Sequence, residues 1–459
     1  MSLEVHRADA PVESAAETLA ASWRITALRM SQYGFGFISL LVTARALGPE
    51  GRAVYVLPLT LAAVVATAVG LSLEQAGGRL LVRGTADALA LSRLLAFSTV
   101  VLGTVGFVAA VSIGLLTRTD LLAGADVTSV IVAALSIPLV MATQFSLGLL
   151  FRLGALRAHG IIVAASGGLQ LLAMAILALS GALTPFRALV VIVAGLASTA
   201  VPLIVLLRLW VGRGALIPRT SRSLAAKTLA AAWPLHLATV CVILNLRFDL
   251  LLVSLLLGTV QTGVYSLATT LAESVFLVPY IVAVAAMPSQ TRFHRDDAAR
   301  YTVDFARQSC AIAVVVAAVA SAGAYPVVRL LFGAEWMGSV VPLMVLTLGV
   351  VAFAIEAPVR TYLTQAASPR SILAAAATGM IVNVVLVVLL TPTIGIVGAA
   401  LGSLASYWAY TALLLRLFAR TASIPASSIF ARPRQDDALL RLLRRLWPAG
   451  ARGRHGTLR

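Results

Sequence analysis

Along most of this chain the apolar positions come in unbroken runs, and polar residues are confined to short stretches between them. Blocks bounded by Gly, Pro and Arg give twelve candidate helices. Six lie in the first half, at approximately 24–46, 53–76, 91–117, 127–151, 158–180 and 186–208. Six more lie in the second, at 228–257, 262–288, 302–331, 339–366, 371–391 and 395–418. Apolar runs of about 20 residues are long enough to cross ~30 Å of hydrocarbon as helices. Continuous rather than alternating hydrophobicity favours helices over barrel strands. The pattern therefore predicts an all-α polytopic membrane protein.

One interruption recurs. Ala44-Arg45-Ala46-Leu47-Gly48-Pro49-Glu50-Gly51-Arg52-Ala53-Val54-Tyr55 joins the first two runs through a tight Gly/Pro turn. A relaxed copy, Leu256-Leu257-Gly258-Thr259-Val260-Gln261-Thr262-Gly263-Val264-Tyr265, again places a Gly seven residues before a Tyr. A turn repeated near half the chain length predicts two similar halves. These are an N-lobe (23–208) and a C-lobe (228–418), two pseudo-symmetric six-helix lobes around a central cavity. Residues 209–227, with Arg213, Arg219, Arg222, Lys227, Gly212, Gly214 and Pro218, form a basic linker between them.

The ends are polar. Residues 1–22 carry Glu4, Asp9, Glu13 and Glu17 against Arg7, which suits a short soluble tail and not a signal peptide. The tail 419–459 is basic. In it Leu439, Leu440, Leu442, Leu443, Leu446 and Trp447 share one helical face opposite Asp437, Arg441, Arg444 and Arg445. That is the pattern of an interfacial helix on an anionic leaflet; a disordered basic tail is the plainer reading.

Composition agrees. Of 459 residues, 60% are hydrophobic and 12% charged, whereas soluble domains carry about 25% charged residues. The net charge of +17 would suggest nucleic acid in a soluble chain. Here it reflects arginines in short loops and in the tail, so no nucleic-acid partner is expected. With both termini inside, the cytoplasmic loops hold fifteen basic residues and the outer loops five: Arg45, Arg52, Arg118, Arg187 and Arg329. The positive-inside rule therefore puts both termini in the cytoplasm. Cys241 and Cys310 lie far apart in apolar segments and read as two buried thiols with no metal spacing. No GxxxxGK[ST], HExxH or CxxC pair occurs, and no outer loop is large enough for a catalytic domain. The chain is expected to be no enzyme, to hold no cofactor and to hydrolyse no ATP.

Ionisable groups inside the membrane are costly unless they face a cavity or a partner. The arginines left within helices are Arg29, Arg247 and Arg360; the acids are Asp249, Glu273 and Glu356, with Glu74 at the inner end of the second helix. Arg29 shares a face with Gln32, Tyr33 and Gly36, and either lines a cavity or snorkels to the inner headgroups. Arg247 and Asp249 are two apart and point to different sides, so one is expected to face the cavity while the other bonds a neighbouring helix. Glu356 and Arg360 have i, i+4 spacing across Pro358, which makes them an internal pair holding a kink or a site. Glu273 is a partner for Arg247 or Arg360, or a proton carrier. His236 reads as a satisfied core histidine. Gly398-x-x-x-Gly402, with Ser403 and Ser406, gives the twelfth helix a small-residue face for close packing.

Four stretches resemble one family. They are Ala44-Arg45-Ala46-Leu47-Gly48-Pro49-Glu50-Gly51; Arg247-Phe248-Asp249 through Gly258, Gly263-Val264-Tyr265 and Glu273 to Met287-Pro288; Leu330-Leu331-Phe332-Gly333-Ala334-Glu335-Trp336; and Thr393-Ile394-Gly395-Ile396-Val397-Gly398-Ala399-Ala400. In this order they resemble the polysaccharide (O-antigen-type) flippases of the multidrug/oligosaccharidyl-lipid/polysaccharide exporter superfamily, over about residues 24–418. Arg52 and Ala53 depart from that family's turn, which usually continues with Gly. The resemblance implies a flippase carrying a polyprenyl-diphosphate-linked oligosaccharide across the bacterial plasma membrane by alternating access. It would work beside glycosyltransferases and a polymerase of the same pathway. On this reading Arg29, Arg247 and Arg360 contact the diphosphate, Asp249, Glu273 and Glu356 are coupling groups or charge partners, and Arg45, Gly48, Pro49 and Gly258 shape the outer turns. A cation-coupled multidrug exporter of the same superfamily is the alternative, although the first helix lacks the acidic residue that many such exporters carry. A glycan polymerase or ligase is a third reading. A lipid II flippase of the superfamily usually has two further helices.

Overall fold

The computed structural model describes residues 15–430 except 83, 85, 123, 154, 293 and 294. Within that range the side chains of 15–30, 79, 82, 151, 152, 156, 234, 277–292, 295 and 296 lie outside the described set. Among the described residues there are helices and connections but no strand.

The helical stretch Ala15–Gly70 is broken at Gly48, with φ 65° and ψ −178°, into α1 (15–47) and α2 (49–70). α2 opens on Pro49, whose fixed φ suits a first helical position. α8 (Arg222–Leu257) meets α9 (Thr259–Arg292) at Gly258, with φ 80° and ψ −174°. This extended conformation at positive φ is open essentially to Gly. Two hinges 210 residues apart thus share one backbone geometry, and each joins two long helices with no loop between them.

A short helix, α3 (Leu73–Val82), follows α2 across Leu71 and Ser72, two non-glycine residues at φ 53° and 47°. Next come α4 (Ala88–Thr117), capped by the Asp87 carboxylate, and α5 (127–153). α5 is interrupted at Leu135, where Pro138 has no N–H for the carbonyl of Ala134. α6 is Leu156–Leu179 and α7 is Pro185–Val211. α10 (Arg295–Val327) ends in a π turn, Val328–Phe332. After a 3₁₀ turn, Ala334–Ser339, come α11 (340–366), α12 (Pro369–Ile394) and α13 (Ile396–Ala422).

Among the described residues ten stretches are long and apolar enough to cross a membrane. One of them, Ser31–Gly70, contains the Gly48 break and counts as two helices. With α9 these make twelve long helices, α1, α2 and α4–α13, at the positions the apolar runs predict. Leu116, Leu179, Leu209 and Val319 are 82%, 90%, 75% and 68% exposed. Such a surface suits hydrocarbon, and this is a multi-pass membrane protein.

Contacts divide the chain into two compact units. The first runs to Ser266 and includes Arg329–Trp336; the second holds Leu267–Val328 and the residues from Met337 on. The linker 209–227 therefore lies within the first unit, and α8 packs there too. Its cores join α4, α5 and α7 through Leu91, Leu94, Leu149, Leu150, Leu203 and Leu207, and α2, α6 and α7 through Tyr55, Met174 and Leu189. In the second unit Phe276, Phe353 and Tyr407 form a ring cluster with centroids 4.7–6.2 Å apart. The small-residue face of α13 packs on α12: a Cβ on Gly398 would stand 2.4 Å from the Leu390 carbonyl oxygen. Asn383 donates from α12 to the hydroxyls of Ser403 and Ser406 on α13, at 3.1 and 3.3 Å. The amphipathic pattern expected over 437–447 lies outside the described residues.

Candidate functional site

Three of the four resembling stretches meet at the first hinge, all within the first unit. Arg45, near the end of α1, donates from Nε to the carbonyl of Leu331 at 2.5 Å and from Nη2 to that of Leu330 at 2.7 Å. The last carbonyls of a helical turn have no partner within it, and here a guanidinium fork supplies donors to those of Leu330 and Leu331 in the π turn. The Phe37 and Phe332 rings pack edge to face beside it at 6.4 Å. The second hinge docks from another side. A Cβ built on Gly263 would fall 1.8 Å from the carbonyl oxygen of Pro49, so the backbones of α2 and α9 touch there.

Arg52 fastens that contact. It is 4% exposed and donates from Nε to Ser266 Oγ at 2.8 Å, from Nη2 to the Ser266 carbonyl at 3.3 Å and from Nη1 to Tyr55 Oη at 3.1 Å. The pattern puts Arg52 among the outer-loop charges, and the structure corrects this: it is a buried residue of α2, and its guanidinium donates to Ser266 and Tyr55. The sequence signal was its helical register with Ala53 and Tyr55, which belong to the apolar face.

Each hinge is also clipped by the tyrosine seven residues after its glycine. Tyr55 donates to Thr43 Oγ1 on α1 at 3.2 Å, and Tyr265 donates to Asp249 Oδ2 on α8 at 2.6 Å. Asp249, 1% exposed, also accepts from the Leu250 N–H at 2.8 Å. Asp249 therefore bonds the neighbouring helix α9. Arg247 is half-buried. It stands one turn beyond Ile243 and two beyond Thr239, on the same face of α8.

The other expected site residues are dispersed. Arg29 lies on α1 with its side chain outside the described set. Arg360 and Glu356 form the i, i+4 ion pair on α11, Nε to Oε1 at 2.5 Å, with side chains 46% and 6% exposed. Glu273 is half-buried on α9. His236, 2% exposed, shares hydrogen bonds with Ser72 Oγ at 3.2 Å and the Ala68 carbonyl at 3.1 Å, so it ties α8 to the break between α2 and α3. Glu74 is not at the end of α2, as the pattern suggested, but in the first turn of α3. Gly70 and the left-handed Leu71 and Ser72 end α2 early.

That displacement places Glu74 in the wall of a half-open cavity of about 520 Å³ lined by α2, α3, α5, α7 and α8. Its polar lining includes Thr67, Glu74, Gln75, Ser136, Gln144 and Thr239; the rest is mostly aliphatic. Among the described residues lining it Glu74 is the ionisable one, and neither Arg247 nor Arg360 is with it. A smaller cavity of about 170 Å³ lies between α1, α6 and α7, with Gln32 and Gly36 in its wall as the face of Arg29 predicts. Among the described residues no cluster of His, Cys, Asp or Glu could hold a metal ion.

No family model matches the chain, and no curated protein matches it in sequence. Solved structures do match in three dimensions. The chain is similar to an outward-facing multidrug resistance MATE family transporter of the MOP superfamily, at 16% identity and a TM-score of 0.63, over 87% of this chain and 94% of that one. It is similar to the lipid II flippase MurJ in an inward closed conformation, at 13% identity and 0.58, over 91% and 96%. A eukaryotic MATE transporter matches at 16% and 0.56, over 88% and 96%. Near-complete coverage of both partners at such low identity gives one conclusion: this chain has the two-lobed, all-helical fold of these transporters.

Proposed function

We propose that this protein is a flippase that moves a polyprenyl-diphosphate-linked oligosaccharide from the cytoplasmic to the outer leaflet by alternating access. The observation that carries the reading is Arg247: a half-buried arginine inside the membrane-spanning helix α8, one turn beyond Ile243, which lines the cavity. A guanidinium binds diphosphate oxygens in forked geometry, and in low dielectric each charge offsets the other's desolvation. The four resembling stretches and the lipid-flippase neighbour support the same cargo. Arg29 and Arg360 are the further diphosphate contacts that the resemblance implies, with Asp249, Glu273 and Glu356 as coupling groups or charge partners.

On this reading the functional lobes are 23–208 and 228–418, joined by the linker 209–227, and the hinges at Gly48 and Gly258 lie on the outer side. The protein sits in a bacterial inner membrane with both termini cytoplasmic. Its tail binds anionic lipid, and glycosyltransferases and a polymerase of the pathway act beside it. Single Ala substitutions of Arg29, Arg247 and Arg360, assayed for flipping at matched expression, test the mechanism. Loss of activity at Arg247 is expected; wild-type activity in all three overturns it.

Multidrug export is the second reading. The mostly aliphatic cavity with Glu74 in its wall favours it, because such a site suits an organic cation. Ion-gradient-driven efflux of a cationic dye by the reconstituted protein, without lipid flipping, would establish it.

A further inference from the structure

The basic segment between α7 and α8 is a folded piece of the first unit. α7 closes on Gly212, at φ 112°, whose N–H donates to the Arg208 carbonyl at 2.9 Å. Turns follow, from the Ala215 N–H to the Gly212 carbonyl and from the Ile217 N–H to that of Gly214. Ser221 then caps α8 by accepting from the Leu224 N–H at 3.2 Å. Arg93 on α4 donates from Nε to the Gly214 carbonyl at 3.0 Å. Ala215 is fully buried, and Val211, Leu224 and Ala225 pack on the core of α4, α5 and α7.

Two chemistries are mixed on its outer surface. Leu209, Trp210 and Ile217 are half or more exposed, and so is Trp233 on α8. Among them Arg208, Arg213, Arg219, Arg222 and Lys227 are exposed. No acid occurs between Arg208 and Lys227. Asp87, at the start of α4, is engaged by the Leu89 and Ala90 N–H groups that it caps.

Water alone suits this surface poorly, because an ordered backbone holds large apolar side chains outward. Hydrocarbon suits it worse, since five exposed charges would be desolvated. The headgroup layer suits both parts. Tryptophan settles at that level, and guanidinium groups meet phosphates with forked hydrogen bonds. The length of α7 agrees: 27 residues span about 40 Å at 1.5 Å per residue, against about 30 Å of hydrocarbon. Its ends, with Arg187 at one and Arg208 and Trp210 at the other, therefore extend into headgroups. An acidic stretch such as 1–14 of this chain, with Glu4, Asp9 and Glu13, would match the charges. Trp210, however, ends a membrane-spanning helix, where lipid is already the neighbour.

We propose that residues 208–233 form a binding surface for anionic phospholipids, with Arg213, Arg219 and Lys227 on the phosphates and Trp210 and Trp233 among the headgroups. This surface is separate from the tail 419–459 and does not depend on which cargo is carried. It is tested by energy transfer from a fluorophore on Ile217→Cys, in full-length protein with Cys241 and Cys310 replaced by Ala. The protein is reconstituted in phosphatidylcholine vesicles, with acyl-labelled phosphatidylglycerol or acyl-labelled phosphatidylcholine as trace acceptor. Variants are used after their thermal unfolding is matched to the parent.

Phosphatidylglycerol is expected to be enriched over phosphatidylcholine about fivefold or more, the factor that one basic residue at an anionic surface supplies. Gln at positions 213, 219 and 227 together should remove most of this preference. Salt at about 1 M, where the screening length is about 3 Å, should do the same. Arg213→Lys, Arg219→Lys and Lys227→Arg together should keep it, which separates lost charge from lost fold. Equal transfer from both lipids in the parent, or an undiminished preference in the Gln variant, would overturn the assignment. A preference that disappears when 431–459 are deleted would overturn it in favour of the tail. One that emerges only when 2–14 are deleted would make the acidic N-terminal residues the occupant instead.

Discussion

The two hinges share a backbone and differ in chemistry. Gly48 and Gly258 have φ values of 65° and 80° and ψ values of −178° and −174°. In both copies a tyrosine seven residues on reaches back across the hinge to the preceding helix. In the first copy the tie is neutral, Tyr55 to Thr43, with Arg52 added; in the second it ends on a buried carboxylate, Tyr265 to Asp249. Five residues after each glycine stand Ala53 and Gly263. The first is fully buried as Ala, whereas the second lies against the Pro49 backbone and has no room for a Cβ. A repeat thus preserves the backbone device and leaves side chains free to take separate roles, here a helix-to-helix contact on one side and a charged clip on the other.

That comparison can be broken by substitution, with stability read from thermal unfolding in detergent or nanodiscs. Gly263→Ala should be the most damaging change, costing about 3 kcal/mol or more, because the obstacle is backbone and cannot rotate away. Alanine at Gly48 and at Gly258 should cost about 2 kcal/mol each, and similar losses would show that the hinges are equivalent. Tyr265→Phe removes a donor from a buried carboxylate and should cost about 2 kcal/mol. Tyr55→Phe removes the bond to Thr43 and the acceptor that Tyr55 offers the buried Arg52, and should also cost about 2 kcal/mol; a loss well below that at Tyr265 would show that Arg52 does not depend on the hydroxyl. Ala53→Gly, the reciprocal of the first change, should cost about 1 kcal/mol or less, the helix propensity of Gly against Ala.

The long helices and hinges were legible because their causes are local. Membrane thickness sets the run lengths, and Gly and Pro interrupt them wherever they fall. The Glu356–Arg360 pair and the small-residue face of α13 were legible for the same reason, since helical spacing decides both. The helix α3 was not. Its first residues, Leu73 to Ala76, fall within the run read as the second helix with no Pro before them, and the break is made by Leu71 and Ser72 in left-handed conformations. Consequently the pattern puts Glu74 on α2, whereas it stands on α3 in the cavity wall. Arg52 illustrates the converse: charge and nearness to a turn suggested a loop, but Ser266, 214 residues away, supplies its bonds. Contacts of that range are fixed by packing, and no local pattern carries them. The meeting of Arg45 with Leu330 and Leu331 belongs to the same class.

The account turns on whether a cationic group beside the cavity carries a lipid-linked diphosphate. The direct measurement is flipping of a fluorescent polyprenyl-diphosphate disaccharide in proteoliposomes, comparing wild type, Arg247→Ala and Arg247→Lys at equal protein. The prediction is clear wild-type flipping, a fall of about tenfold or more in Arg247→Ala, as loss of a charge-assisted contact implies, and partial recovery in Arg247→Lys. Wild-type vesicles no faster than protein-free ones, or an Arg247→Ala rate equal to wild type, would contradict it.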